Sequence, residues 1–187
     1  MTGEGRSPGA SSAADGVVRL DRWTVTSGSN AVSRAAVVLH AGSHDWKASA
    51  DGTGAVDARY RAVDEALTTI LGGSPRLLAY DVHALGDGPD AEGRVTVRIG
   101  PPSSVGGDRG RGLFDAASSS VNTLAASVEA YVQALNEMLA TDAWAGAADE
   151  AGSAHRPARL PGAGAASSGT QFDEEAQPID TTEWFNR

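Results

Sequence analysis

The fold is decided by the stretch GTGAVDARYRAVDEALTTILGGSP at residues 52–75. Its apolar residues recur at helical spacing and form one stripe: Val56, Tyr60, Val63, Leu67 and Ile70. Gly72 and Gly73, followed by Pro75, predict where that helix ends. Because the residues before Gly52 alternate with a period of two, the stretch marks the change from strands to a helix.

Strands are predicted on both sides of this helix. The first three lie at 20–27, 35–40 and 45–51, and three more lie at 77–85, 94–99 and 113–117. One face of the fourth strand is predicted to carry Leu78, Tyr80, Val82 and Ala84. A second helix follows at 121–139, with this stripe: Val121, Leu124, Val128, Tyr131, Leu135 and Met138. Ser118, Ser119 and Ser120 are its candidate N-caps.

The element order is therefore strand–strand–strand–helix, twice. Two amphipathic helices need a sheet face to cover, which predicts an α+β domain with the helices packed on antiparallel sheet. The duplicated β-β-β-α units imply internal pseudo-two-fold symmetry. Since each half alone would bury little apolar surface, the two halves must share a core, and a partner subunit would add to it.

The chain ends differ from the middle in composition. Residues 1–17 and 142–187 are rich in Gly, Ala, Ser and Pro and are predicted to be disordered, leaving a domain at 18–141. The last segment is acidic and ends with Trp184 and Phe185. Two readings stay open for it, an inert tail or a short motif that docks on a partner.

Composition excludes several function classes. The 187-residue chain has no Cys, so disulfides and thiolate sites are absent. A formal net charge of −9 disfavours nucleic acid, and the basic loop at 109–112 is too small to change this. No apolar run is long enough for a membrane span, and no secretory signal is present, so we expect a cytoplasmic protein without a membrane partner.

Metal and cofactor chemistry finds little support. His40 and His44 are spaced as a helix would need for a metal, but Ala41-Gly42-Ser43 between them favours a turn. No phosphate-binding or nucleophile motif occurs. We therefore expect no catalytic residue, no metal and no cofactor.

The start of the first helix is the best candidate for a ligand site. Gly52 and Gly54 permit close approach to the backbone, and the first helical N–H groups have no partners within the helix. Together with the helix dipole these groups attract an anion such as a carboxylate. An ordinary turn before a helix is the alternative.

Four segments together resemble the regulatory (dimerisation) domain of the 2-isopropylmalate synthase and citramalate synthase family. They are Trp23–Gly28, Gly52–Ala58 (family pattern G-N-G-P-V-D-A), Leu78–Val97 (Y-x-x-x-A-x-x-x-G-x-D-A-x-G-x-V-x-V) and Ala126–Asn136 (A-S-x-x-A-Y-x-x-A-L-N). Thr53 and Ala55 depart from the pattern, standing where Asn and Pro are usual. In the family a catalytic barrel with its metal ligands precedes this domain, and no such barrel precedes it in this sequence.

The resemblance implies a non-catalytic regulatory protein of leucine biosynthesis. It implies a homodimer that binds leucine or a related small amino or oxo acid near the dimer interface, and a separately encoded synthase as a partner. Carried over residue by residue, the ligand site is Gly52, Gly54, Val56, Asp57, Leu77, Tyr80, Ala84, Ala91 and Gly93. Two alternatives stay open. One is a small enzyme that reuses the pocket, with Asp57, Asp81 or His83 as acid and base, and the other is a dimeric scaffold that recruits a partner through its tail.

Overall fold

A computed structural model describes residues 18–42, 44–88 and 90–147. The predictions for residues 1–17 and for the tail from 148 onward lie outside this range. Within it, no helix combines the length and the hydropathy that crossing a bilayer requires. Residues 142–147, which the sequence assigned to the tail, contain a 3-10 turn at Asp142–Trp144, and the Trp144 side chain is buried.

The first unit is an antiparallel three-stranded sheet followed by a helix. Strands β1 (Arg19–Gly28), β2 (Ala31–Ala41) and β3 (His44–Gly52) form a meander with β2 in the middle. Helix α1 spans Ala55–Ala66 and the short helix α2 spans Thr68–Leu71. The sequence predicted one helix over both, but Leu67 leaves the helical conformation between them. Gly72 ends α2 at a φ of 68°, a left-handed conformation that suits glycine.

The second unit repeats this order. Strands β4 (Arg76–Ala84), β5 (Gly93–Gly100) and β6 (Phe114–Ser120) form a second antiparallel sheet with β5 in the middle. A 3-10 turn at Gly107–Gly110 lies in the loop before β6, and helix α3 (Thr123–Leu139) follows it. The α+β architecture with duplicated β-β-β-α units is thus confirmed.

The predicted serine N-caps are wrong. Ser118–Ser120 belong to β6, and the cap of α3 is Asn122. Its side-chain oxygen accepts hydrogen bonds from the amides of Leu124 and Ala125, at 3.1 and 3.2 Å. Asn competes well for this position because its short side chain reaches the second and third helical amides.

The two units share one core. Helix α1 packs on β2 and β3, α3 packs on β5 and β6, and the helices contact each other. Val18, which directly precedes β1, also reaches the other unit's helix, since its amide donates to the Asn136 side chain at 2.9 Å and its carbonyl accepts from that side chain at 2.8 Å. The core thus depends on both halves, as predicted.

The helices run in the same direction. The Tyr60 hydroxyl donates to the Ser127 carbonyl at 3.1 Å, and one turn further along, the Tyr131 hydroxyl donates to Oδ1 of Asp64 at 2.6 Å. One turn forward on α1 is therefore one turn forward on α3. Both helix N-termini consequently lie at the same end of the helix pair.

Candidate functional site

Gly52 brings the end of β3 directly onto the start of α1. A Cβ built on Gly52 would lie 2.6 Å from the Ala58 Cα, so no larger residue fits there. Gly54, the N-cap of α1, is extended, and a Cβ on it would meet nothing. Close approach therefore requires glycine at 52 and not at 54.

Helix α1 has no side-chain N-cap, in contrast to α3. Gly54 offers no side chain, and the first backbone bond of the helix runs from the Ala58 amide to the Gly54 carbonyl at 2.9 Å. An uncapped start leaves its first amides directed outward. Anion binding at the Gly54 and Val56 positions stays a prediction, and the structure shows only that no side chain caps this helix start.

The Asp57 carboxylate is hydrogen-bonded to the loop that precedes α1. Its Oδ2 accepts from the Thr53 amide at 2.9 Å and from the Thr53 hydroxyl at 3.3 Å, and Nε of Arg61 lies 3.0 Å from Oδ1. These bonds, the Thr53 amide first, hold the pKa of the Asp57 carboxyl below its ordinary value. The carboxylate is thus charged, oriented and already paired within the chain.

An open cleft of about 590 Å³ adjoins this loop. Gly52 and Thr53 form one side of it, together with Asp51 and Arg61, and the turn between β1 and β2 forms the other through Ser29–Val32. Of the nine predicted site residues, only Gly52 lines it. Asp51 is paired with Arg34 across the sheet at 2.7 Å, which fixes that wall.

The other predicted residues gather on β4 and its hairpin. Leu77, Tyr80 and Ala84 pair directly with Ile99, Val97 and Gly93 on β5. Directly opposed residues point to the same side, and Val97 and Ile99 are buried, so this is the face turned toward the helices. Ala91 and Gly93 complete the group at the end of the hairpin, where the Leu85 amide donates to the Glu92 carbonyl at 2.7 Å.

A register shift between Leu77 and Ala79 corrects the predicted face of β4. The irregularity places Leu77, and not Leu78, with Tyr80, Val82 and Ala84. The alternation of the sequence does not reveal such a shift, since neighbouring leucines satisfy either register. The resemblance had named Leu77 for the site, and that residue is the one on the helix-facing side.

This inner face of β4 is largely uncovered. Leu77 is 47% exposed and Val82 is 44% exposed, although both point toward the helix layer. Strand β4 is an edge strand, and α3 lies instead over β5 and β6. An apolar strip on the helix-facing side is thus left open within the described chain.

Tyr80 links this strip to the helices. Its hydroxyl lies 2.8 Å from Oγ of Ser127, and its ring meets the Tyr60 ring edge-on at 6.3 Å. Further along, a Cβ on Gly93 would lie 2.9 Å from Oγ1 of Thr123, the first residue of α3. The strip therefore runs from Leu77 past Tyr80 toward the helix N-termini, and Leu77 lies at its far end, away from the other predicted residues.

Three polar residues near the helices escaped the sequence reasoning. Asp64, in the interior, is bonded to Tyr131, and burial raises the pKa of its carboxyl to about 6, against the opposing effect of the bonds from Tyr131 and Ser74. Ser127 joins Tyr60 and Tyr80. Arg59 is fully buried on α1. Adjacent carboxylates such as Asp64 and Glu65 on a helix predict a solvated face, and this prediction is wrong for Asp64, which is buried. Arg59 flanks the apolar stripe, and the helical period gave no reason to single it out.

The side chains considered as metal ligands or as an acid–base pair do not come together at one site. His40 and Asp45 face each other across the β2–β3 hairpin, with Nδ1 and Oδ1 2.7 Å apart, so the predicted turn between His40 and His44 is present. Asp81 and His83 alternate with Tyr80 along β4 and point to the opposite, exposed face. Asp57 is paired on α1 and does not join them through any hydrogen bond or ion pair in the described residues.

The fold defines a duplicated β-β-β-α domain with two parallel helices, whose N-termini lie at one end beside the open face of β4. The sequence model of the LeuA allosteric (dimerisation) domain family matches residues 9–139, and the chain belongs to that family.

Its relatives are biosynthetic synthases. The 2-isopropylmalate synthase of Dechloromonas aromatica (strain RCB) is 35% identical over 63% of this chain and 20% of its own length. The 2-isopropylmalate synthase of Nitrosococcus oceani is 36% identical over 65% of this chain and 21% of its own length. The putative (R)-citramalate synthase CimA of Methanoculleus marisnigri is 32% identical over 65% of this chain and 22% of its own length. The chain thus spans about a fifth of the length of these relatives.

Proposed function

We propose that this chain is a regulatory domain of leucine biosynthesis that binds a small branched-chain amino or oxo acid, leucine first, and thereby controls a synthase. Membership of the allosteric domain family supports the regulatory role, and the relatives' names support the pathway. The observation that supports the site most strongly is structural. The uncapped start of α1 lies at the same end of the helix pair as the uncovered apolar face of β4.

Each part of the ligand finds a matching feature at this end. The outward amides near Gly54 and Val56, with the positive end of the α1 dipole, suit a carboxylate. The part of the strip formed by Val82 and Ala84 suits a branched aliphatic side chain, because it is apolar and open. The small residues Ala91 and Gly93 leave room beside it.

We propose further that a second copy of the chain covers β4. An edge strand with exposed apolar residues favours pairing with another molecule, and the family is described as a dimerisation domain. In this arrangement the ligand binds where the two copies meet. Dimerisation and ligand binding would then support each other thermodynamically.

Sedimentation velocity tests the dimer surface. Val82→Glu places a charge on the inner face of β4 and is expected to shift the protein toward monomer. Leu113→Glu is the matched control, because Leu113 is 60% exposed just before β6, at the opposite edge of the same sheet. Equal dimer fractions for both variants would contradict the proposed surface.

Thermal denaturation with added ligands tests the proposed function. Leucine, isoleucine, valine and their 2-oxo acids are added to the full chain at millimolar concentration. Ligand at about 100 times its dissociation constant stabilises the folded state by about 2.7 kcal/mol, which is readily measured. No rise in melting temperature with any of them would refute the proposal.

The enzyme alternative gains no support from the placement of its residues. Asp81 and His83 lie on the outer face of β4, while Asp57 is paired with Thr53 and Arg61. General acid–base catalysis needs such groups within reach of one bound substrate.

A further inference from the structure

Arg59 is a buried cation whose hydrogen-bonding capacity is mostly unused. Its exposed fraction is 0%, and its Nε donates to the Ala55 carbonyl at 3.2 Å. In the described part of the chain, neither Nη1 nor Nη2 has a hydrogen-bond partner. Buried guanidinium groups are ordinarily paired with a carboxylate, so this one requires an explanation.

The surroundings of Arg59 compensate its charge only weakly. The guanidinium carbon lies 4.4 Å from the centre of the Trp23 ring on β1. A cation–π contact offsets only part of the desolvation of a guanidinium. Burial lowers the pKa of Arg59, and the neighbouring hydroxyls of Tyr60 and Tyr80 act in the opposite direction.

Two of the three acidic residues on the same helix are already engaged, and the third, Glu65, is exposed whereas Arg59 is buried. Asp57 is held by Thr53 and Arg61, and Asp64 accepts from Tyr131. Among the described residues, no ion pair joins a carboxylate to Arg59. The missing counter-charge therefore has to come from outside this part of the chain.

We propose that Arg59 binds the carboxylate of the ligand together with the outward amides at the start of α1, and that the Trp23 side chain moves aside to admit the ligand. The fork of Nη1 and Nη2 matches the two oxygens of a carboxylate. Arg59 lies about one turn into α1, at the end of the helix pair where the site is proposed. Trp23 is the half-buried side chain over the guanidinium, and it lies on an edge strand.

This inference rests on the proposed function and narrows it to ligands that carry a carboxylate. Isothermal titration calorimetry on the full chain tests it with three acids and two amides: leucine, 4-methyl-2-oxopentanoate, 4-methylpentanoate, leucinamide and 4-methylpentanamide. We expect each amide to bind roughly 10- to 100-fold more weakly than its acid, the range for losing a charged hydrogen-bonded pair.

Three substitutions isolate the role of Arg59. Arg59→Met removes the charge, and we expect it to bind the acids roughly 10- to 100-fold more weakly and to lose most of the preference for acid over amide. Arg59→Lys, which keeps a charge without the fork, is expected to retain part of that preference. Arg98→Met is the matched control, because Arg98 is an exposed arginine on β5 that is paired with Asp115 on β6. We expect this variant to bind all the ligands with wild-type affinity.

Folding of the variants does not obscure the result. Replacing an unpaired buried charge with an apolar residue is expected to raise the melting temperature without ligand, and circular dichroism checks the fold. Arg59→Met with wild-type affinity for the acids overturns the inference, as does a wild type that binds amides as tightly as acids. Binding of inorganic phosphate through Arg59, with no acid binding there, also overturns it.

The binding results distinguish a failure of the Arg59 inference from a failure of the proposed function. If leucine binds equally to the wild type and to Arg59→Met, the proposed function stands and the inference fails. If acetate and propanoate bind through Arg59 while no branched-chain acid binds, the proposed function fails and Arg59 keeps its role. If none of these ligands binds the wild type, both fail.

Discussion

Asp64 gives the sharpest test of the interior between the two helices. Its side chain is buried, and burial raises the pKa of its carboxyl from 3.8 to about 6. The folded state therefore binds more protons than the unfolded state between these pH values, so the free energy of unfolding falls as the pH rises through this window. Two pKa units correspond to about 3 kcal/mol, which the folded protein loses once the pH exceeds about 6.

Asp64→Asn removes the ionisation and keeps an oxygen that accepts from the Tyr131 hydroxyl. We expect the variant to match the wild type near pH 4 and to be more stable by up to about 3 kcal/mol at pH 8. Urea unfolding followed by circular dichroism, at fixed protein concentration, measures the difference at each pH. A constant difference from pH 4 to 8 would show that the carboxyl has an ordinary pKa and would refute the reasoning.

Asp57→Asn is the control on the same helix, and its effect on the free energy of unfolding should have the opposite sign. The Thr53 amide and Arg61 hold the pKa of Asp57 below its ordinary value, so the carboxylate contributes stability that is present above about pH 4 and lost as the pH falls through the folded-state pKa. The variant should thus be less stable than the wild type at pH 7 and approach it in acid. Equal behaviour of the two variants would mean that helix location, and not the environment of each carboxyl, governs the effect.

Two further substitution pairs test local geometry through the free energy of unfolding. Gly52→Ala should destabilise the protein by about 1–3 kcal/mol, because its Cβ would overlap the Ala58 backbone. Gly54→Ala should change the stability by less than about 1 kcal/mol, because its Cβ would meet no other atom. A tolerated Gly52→Ala would contradict the close approach of β3 to α1. Asn122→Ala should lose about 1 kcal/mol with the cap of α3, and Ser119→Ala should lose almost nothing, so a larger effect at Ser119 would restore the serine caps.

Local patterns predicted the elements well, for identifiable reasons. The change from a period of two to a helical period at residue 52 located β3 and α1, and Gly72 ended the helical segment as expected. The break at Leu67 was not predictable, because the apolar stripe continues through it without interruption. The shift at Leu77 was equally hidden by the adjacent leucines.

The candidate site was predictable only in its parts. The glycines and the resemblance named residues on α1 and β4, but periodicity does not reveal that the helices run parallel. That finding comes from tertiary bonds such as Tyr60 to Ser127. Arg59 was missed because an arginine beside an apolar stripe ordinarily extends to solvent, and only its packing under Trp23 shows otherwise.

We propose above all that a small branched-chain acid binds at the common N-terminal end of α1 and α3, against β4. Titration of leucine into isotopically labelled protein, followed by backbone amide chemical shifts, locates the ligand directly. The account predicts that the largest shifts fall on Gly54, Val56, Ala84 and Gly93. Saturable shifts confined to residues remote from these, or no shifts at millimolar leucine, would contradict it.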